Sequence, residues 1–268
     1  MGAIGVFDSG VGGLTVLREL RRALPAEDFI YLGDTARLPY GTKSSATVAR
    51  YSLQCAAVLV ARGIRCLVVA CNTASASALA ALRAQYPDLP VIGVIEPGAA
   101  AAVAASASQR IGVVATEGTI GGGAYQDAIR RLNPRAQVSA RACSLFVALA
   151  EEGLTHGPIV EAVAQRYLSP LFEVAQPPDT LVLGCTHFPV LAPAMRAVIP
   201  AGVHIVDSAA TTAAALRRQL IPAADSGAGL GAGRTIWLAT DGAARFARVG
   251  SIFLGEPLSA ERVEVVDL

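Results

Sequence analysis

Cys66-Leu-Val-Val-Ala-Cys-Asn-Thr73 and Thr180-Leu-Val-Leu-Gly-Cys-Thr-His187 share one pattern. Each is a short apolar run that ends in a cysteine and is followed by small polar residues. Such a run reads as a strand buried on both faces of a parallel sheet, and the polar residues after it open a loop or helix. Cys71 and Cys185 lie 114 positions apart, so they sit in different parts of the fold. Two thiols presented by two similar units can face one substrate from opposite sides, which suits moving a proton on and off a carbon atom.

Outward from these runs, β-like segments alternate with Ala- and Leu-rich helical ones, the pattern of a mainly parallel α/β architecture. Strands are expected at residues 3–7, 29–32, 66–70, 91–95, 111–115, 137–141, 180–184 and 204–206. Helices are expected at 14–23, 44–62, 74–85, 98–106, 122–132, 159–172, 190–198 and 209–220. Ile4-Gly-Val-Phe-Asp-Ser9 returns as Ile111-Gly-Val-Val-Ala-Thr116, which together with the duplicated cysteine points to two related units. The first is expected to span residues 1–96 and, after the chain returns, 208–268; the second spans 97–207. Glu96-Pro97-Gly98 reads as the turn between them, residues 220–234 as a flexible surface loop, and 235–239 and 262–266 as short strands.

Bulk composition narrows the function. The chain has 268 residues, 53% hydrophobic and 16% charged, enough for two compact domains with dry cores. Its 22 basic and 21 acidic residues nearly cancel, so nucleic acid and anionic membrane surfaces are not expected partners. Mean hydropathy is +0.49, yet the apolar runs are broken by Arg62 and Arg65 or by Glu96 and Pro97, short of a membrane span. Met1-Gly-Ala-Ile-Gly-Val-Phe-Asp8 lacks the basic start of a signal peptide, so a cytoplasmic protein is expected. Five cysteines without CxxC spacing argue against a disulfide framework, and Cys55, Cys66 and Cys143 read as small buried hydrophobes. Lys43 is the only lysine, so a pyridoxal Schiff base would have to use it.

Two glycine-bearing loops follow strands. Asp8-Ser-Gly-Val-Gly-Gly-Leu-Thr15 permits a tight turn and close ligand approach, but its spacing is not that of a dinucleotide loop. Asp8 would welcome a substrate ammonium, or Asp8 or Ser9 could simply cap the following helix. Gly33-Asp-Thr-Ala-Arg-Leu-Pro-Tyr-Gly41 can place Tyr40 and its neighbouring amides over a cleft, with Asp34 as a cap or a supporting acid. A free thiol is only about 3% thiolate at pH 7, so working cysteines need help from a helix start or a neighbouring base. Asn72, Thr73 and Asp8 are available to Cys71; Thr186, His187 and an acidic loop with Glu151 and Glu152 are available to Cys185. Competing readings are buried structural cysteines, a metal site of Cys71, Cys185 and His187, or a single cysteine nucleophile paired with His187. The last is disfavoured because residues so close in sequence rarely face each other across a strand end.

Five segments in order, Phe7-Asp-Ser-Gly-Val-Gly-Gly-Leu-Thr15, Gly33-Asp-Thr-Ala-Arg-Leu-Pro-Tyr-Gly41, Ala70-Cys-Asn-Thr-Ala74, Gly93-Val-Ile-Glu-Pro-Gly98 and Gly184-Cys-Thr-His187, resemble the signature segments of the glutamate racemases, within the wider aspartate/glutamate racemase superfamily. The resemblance implies two mainly parallel α/β domains related by pseudo-twofold symmetry, with the active site in the cleft between them. It implies racemisation of glutamate without cofactor or metal, D-glutamate for peptidoglycan, and a homodimer. It makes Cys71 and Cys185 the acid/base thiols, with Asp8, His187 and Glu151 assisting, Glu151 being preferred to Glu152. Ser9, Tyr40, Gly41, Asn72, Thr73 and Thr186, with Asp8 and His187, become substrate-binding residues. Ser144 and Ala148 stand where that family usually has prolines, and Phe188 where it commonly has tyrosine. A binding module that closes on an amino acid without reacting would need the cleft but not two thiols.

Overall fold

The computed structural model describes residues 2–220 and 233–268. In chain order the elements are β1 (Ile4–Asp8), α1 (Leu14–Ala23), β2 (Phe29–Gly33), α2 (Ser45–Ala61), β3 (Cys66–Val69), α3 (Asn72–Gln85), β4 (Val91–Gly93) and α4 (Ile95–Ala105). There follow β5 (Arg110–Ala115), α5 (Glu117–Gly121), α6 (Ala124–Leu132), β6 (Gln137–Ala142), α7 (Leu145–Glu151), α8 (Pro158–Phe172), β7 (Thr180–Gly184), α9 (Ala192–Val198) and β8 (His204–Asp207). The described chain closes with α10 (Ser208–Leu220), β9 (Thr235–Ala239), α11 (Ala243–Leu254) and β10 (Val263–Val265).

The strands form two all-parallel sheets, ordered β10-β9-β2-β1-β3-β4 and β6-β5-β7-β8. The run β2-β1-β3-β4 and the run β6-β5-β7-β8 follow one permutation, so β1 corresponds to β5 and β3 to β7. The faint repeat between Ile4–Ser9 and Ile111–Thr116 therefore has a topological counterpart. Every residue of β1, β3 and β7 is buried, which is why these strands read as continuous apolar runs rather than alternating ones. In an open α/β sheet the carboxyl ends of the strands and the loops beyond them form the ligand-binding edge. Cys71 lies just past β3 and Cys185 just past β7, each at that edge of its own sheet.

Several expected boundaries shift. Residues 91–95 do not form one strand: β4 stops at Gly93 and Ile95 already begins α4. Glu96-Pro97-Gly98 is thus the first turn of a helix rather than a turn between domains. Proline is at home there because a first-turn N–H has no intrahelical partner, and Glu96 favours the positive helix start. The helix expected at 122–132 is α6, which begins only at Ala124 because Gly123, with a φ of 67°, stands outside the helical range. Three helices, α5, α7 and α11, come in addition to those expected. The loop expected at 220–234 falls mainly on residues outside the described ones. Among the described residues no helix is long and apolar enough to cross a membrane.

Helix α11 is held to the first sheet by Phe246, which is fully buried and tilted against Tyr31 at a centroid distance of 5.9 Å. Phe246→Ala removes a large side chain from a closed core site, and its expected cost is about 3–5 kcal/mol. Urea unfolding followed by circular dichroism measures it; a loss under about 1 kcal/mol would show that α11 docks by other contacts.

Candidate active site

The two sheets meet with their ligand-binding edges facing one cavity. It is lined by Ser9, Tyr40, Gly41, Asn72, Thr73 and Cys71 from the first sheet's loops, and by Thr116, Cys185, Thr186 and His187 from the second's, with Pro39, Val147 and Gly184 between. Its volume is about 30 Å³. That is room for about one water, far below the roughly 300–1,000 Å³ of small-molecule sites. The described conformation is therefore closed, and any substrate must part the walls to reach the thiols.

Cys71 is the N-cap of α3, and its sulfur accepts the Ala74 N–H at 3.4 Å. Its thiol donates to Ser9 Oγ at 3.5 Å. Burial pushes the Cys71 thiol up to about 12, the nearby Asp8 charge adds to that, and the Ser9 and Ala74 contacts only partly oppose it. Asp8 is fully buried, accepts the Gly10 N–H at 3.0 Å and the Thr186 hydroxyl at 3.5 Å, and does not cap α1, whose N-cap is Gly13. Burial raises its carboxyl, against the pull of His187. Asp8 thus stands behind the cavity, and the hydroxyl that touches Cys71 is Ser9.

Cys185 has a different partner. After β7 the chain turns tightly, with the Phe188 N–H donating to Cys185 O at 3.1 Å. This turn brings His187 Nδ1 to 3.8 Å from Cys185 Sγ, so the pairing that sequence proximity disfavoured is present. On the other side His187 Nε2–H donates to Glu151 Oε1 at 3.0 Å, and Arg245 from α11 donates to Glu151 Oε2 at 2.8 Å. Glu151 is the last residue of α7 rather than part of a loop. Burial would raise its carboxyl, but the bonds from His187 and Arg245 hold it down at about 2. For His187, burial disfavours the cation, yet the bonds to Cys185 and Glu151 prevail and raise it to about 10. Phe253 packs edge-on against the imidazole at 5.0 Å. Gly12 completes the packing: a Cβ there would lie 2.4 Å from both His187 Nδ1 and Thr186 Oγ1.

The remaining expected residues divide by role. Tyr40 turns its hydroxyl away from the cavity to donate to Asp34 at 2.5 Å, while Arg37 and Thr240 donate to the same carboxylate at 2.8 and 3.0 Å. Asp34 therefore anchors the Pro39-Tyr40-Gly41 segment, which lines the cavity. Asn72 is buried, and its Nδ2 has no hydrogen-bond partner. Thr116 and Thr119 were missed by sequence reading. Their hydroxyls and that of Thr73 form a triangle with sides of 3.0, 3.1 and 3.1 Å across the two halves. The repeat could have found Thr116, since it aligns with Ser9. Among the described residues, no group of three or more His, Cys, Asp or Glu could hold a metal ion.

Fold and site together define a protein of two parallel α/β sheets with two thiols lining one cavity, each with its own hydrogen-bonding neighbours. The chain matches the family described as Asp/Glu/Hydantoin racemase over residues 4–216, and it belongs to that family. It is 53% identical over 262 residues to a glutamate racemase of Geobacter metallireducens, covering 96% of this chain and 94% of the relative. A solved glutamate racemase isoform of Bacillus anthracis superposes with a TM-score of 0.92 at 37% identity, covering 100% of this chain and 98% of that one. The glutamate racemase of Francisella tularensis, solved in complex with D-glutamate, gives a TM-score of 0.90 at 35% identity, covering 99% and 97%.

The raised His187 has a consequence for stability. Its folded pKa of about 10 lies above the ordinary histidine value near 6.5. Its contribution to folding is complete below about pH 6.5 and is lost as the pH rises through about 10. Unfolding free energy should fall over that window in the wild type and fall less in His187→Asn. Nitrogen-15 NMR should find the His187 ring doubly protonated at pH 8; a neutral ring at pH 8 would contradict the Cys185–His187–Glu151 arrangement.

Proposed function

We propose that this chain interconverts L- and D-glutamate without a cofactor, by proton transfer between Cys71 and Cys185 on opposite walls of the cleft. The observation that carries the reading is that both cysteines follow corresponding strands of a repeated fold and line one cavity. The working units in this reading are residues 1–96 with 208–268, and residues 97–207. The glutamate relatives support the choice of substrate, the Francisella protein having been solved with D-glutamate. The product would supply D-glutamate for peptidoglycan synthesis.

In one direction a thiolate removes the α-proton: the Cα–H bond breaks, an S–H bond forms, and the electron pair stays on the substrate as a planar carbanion. The opposite thiol then gives its proton to the other face and becomes the thiolate. The reverse reaction exchanges the roles, so the free protein cycles between two protonation forms. The α-proton is weakly acidic, so donors must already be aimed at the charge that develops. The backbone amides at Ser9, Tyr40, Gly41 and Thr186 are suited to the α-carboxylate, onto which that charge spreads, and Asn72 Nδ2 and the Thr73–Thr116–Thr119 hydroxyls to a carboxylate whose charge is the same throughout. Asp8, shielded behind Ser9, favours the α-ammonium, whose positive charge beside Cys71 would bring that thiol back down. On the other wall the His187–Glu151 pair stabilises negative charge on Cys185 and can return a proton to it.

Purified protein incubated with L-glutamate, without pyridoxal, should lose its circular dichroism signal completely as the racemate forms. Removing one positioned acid or base typically costs about 10²–10⁴-fold, so Cys71→Ala and Cys185→Ala should each fall by at least that factor. No loss of signal with wild-type protein would leave a binding module as the better reading. Normal racemisation by both variants would refute the two-thiol chemistry.

A further inference from the structure

A side chain far from both cysteines in sequence touches the settings of both. Tyr125, from α6 of the second half, is fully buried, and its hydroxyl donates to Asn72 Oδ1 at 2.8 Å. Asn72 follows Cys71 directly and begins α3 of the first half. The Tyr125 ring also lies against the backbone that carries the second thiol: a Cβ on Gly184 would come within 2.9 Å of it. Gly184 precedes Cys185 directly. Tyr125 therefore spans from the residue after one thiol to the residue before the other.

The contact with Asn72 matters because an amide has two different ends. The Tyr125 O–H donates to the carbonyl end of Asn72, which leaves the NH₂ end for the cavity wall. That Nδ2 is buried with no partner in the closed conformation. A buried donor without an acceptor is costly, and native proteins retain one where a ligand supplies the missing oxygen. Burial pushes the Tyr125 phenol up, so it keeps its proton and remains a donor.

We propose that Tyr125 is a positioning residue for substrate: it fixes the Asn72 amide with its NH₂ toward the cleft, ready for a substrate carboxylate, and acts through Asn72. The proposal rests on the racemase reading for the identity of the substrate. Tyr125→Phe keeps the ring against Gly184 but removes the donor, so the Asn72 amide loses its preference for one orientation. Because Asn72 would hold substrate and transition state alike, the loss should appear in KM rather than in kcat.

The test is a double-mutant cycle of Tyr125→Phe and Asn72→Ala, read by racemisation kinetics with both enantiomers and by calorimetric binding of D-glutamate. Tyr125→Phe should raise KM and Kd about tenfold, the scale of one lost buried hydrogen bond, with kcat within about threefold. In the Asn72→Ala background the same change should alter KM and Kd by less than about twofold. An unchanged KM in Tyr125→Phe, a loss confined to kcat, or an equal loss in both backgrounds would overturn the proposal. Wild-type protein that binds but does not racemise would fail the racemase reading, while the binding cycle would still decide the role of Tyr125.

Discussion

In the two-thiol reading, a sulfur must carry negative charge inside a dry cleft, and that is the constraint on which the rest of the structure depends. Burial alone drives a thiol toward its neutral form, as it does at Cys71, Cys55 and Cys143. Of the five cysteines, Cys71 and Cys185 are the two that line the cavity, and each is given compensation. Cys71 has a helix-start amide and a serine hydroxyl; Cys185 has an imidazole backed by a carboxylate that is itself held by an arginine. The fold repeats, but the compensation does not. A racemase built on it has equal kcat/KM for the two enantiomers, because its equilibrium constant is one, while kcat and KM can differ separately.

The two halves are joined by the same groups that serve the site. Arg245 of α11 reaches across to Glu151 of α7, the threonine triangle links α3 to α5, and Tyr125 links α6 to Asn72. These hydrogen bonds cross between the halves beside the cavity. With only about 30 Å³ inside, the cavity has to widen before a small molecule can enter it.

Much of this was legible in the chain because a strand buried on both faces leaves an unmistakable trace. The runs ending at Val69 and Gly184 have no polar residue to spare, and the duplicated cysteine marks their common edge. Helix boundaries were less legible where glycine or proline carries two meanings, as at Pro97 and Gly123. Helix α7 is only seven residues of nearly continuous apolar character, too short to show a period. Helix α11 does space Phe246, Val249 and Phe253 on one face, but Gly242 and Gly255 close around it give the segment the look of a loop. Thr119, Tyr125 and Arg245 carry no local signal at all, since what they do depends on which distant residue packs beside them.

The most direct test of the two-thiol account is the isotope content of each enantiomer during the first few per cent of reaction in D₂O, starting from protiated L-glutamate. Two bases on opposite faces predict that newly formed D-glutamate carries solvent deuterium at the α-carbon while the recovered L-glutamate remains protiated. D-Glutamate that retains the original α-proton would mean that a single group carries the proton from one face to the other, and would contradict the account.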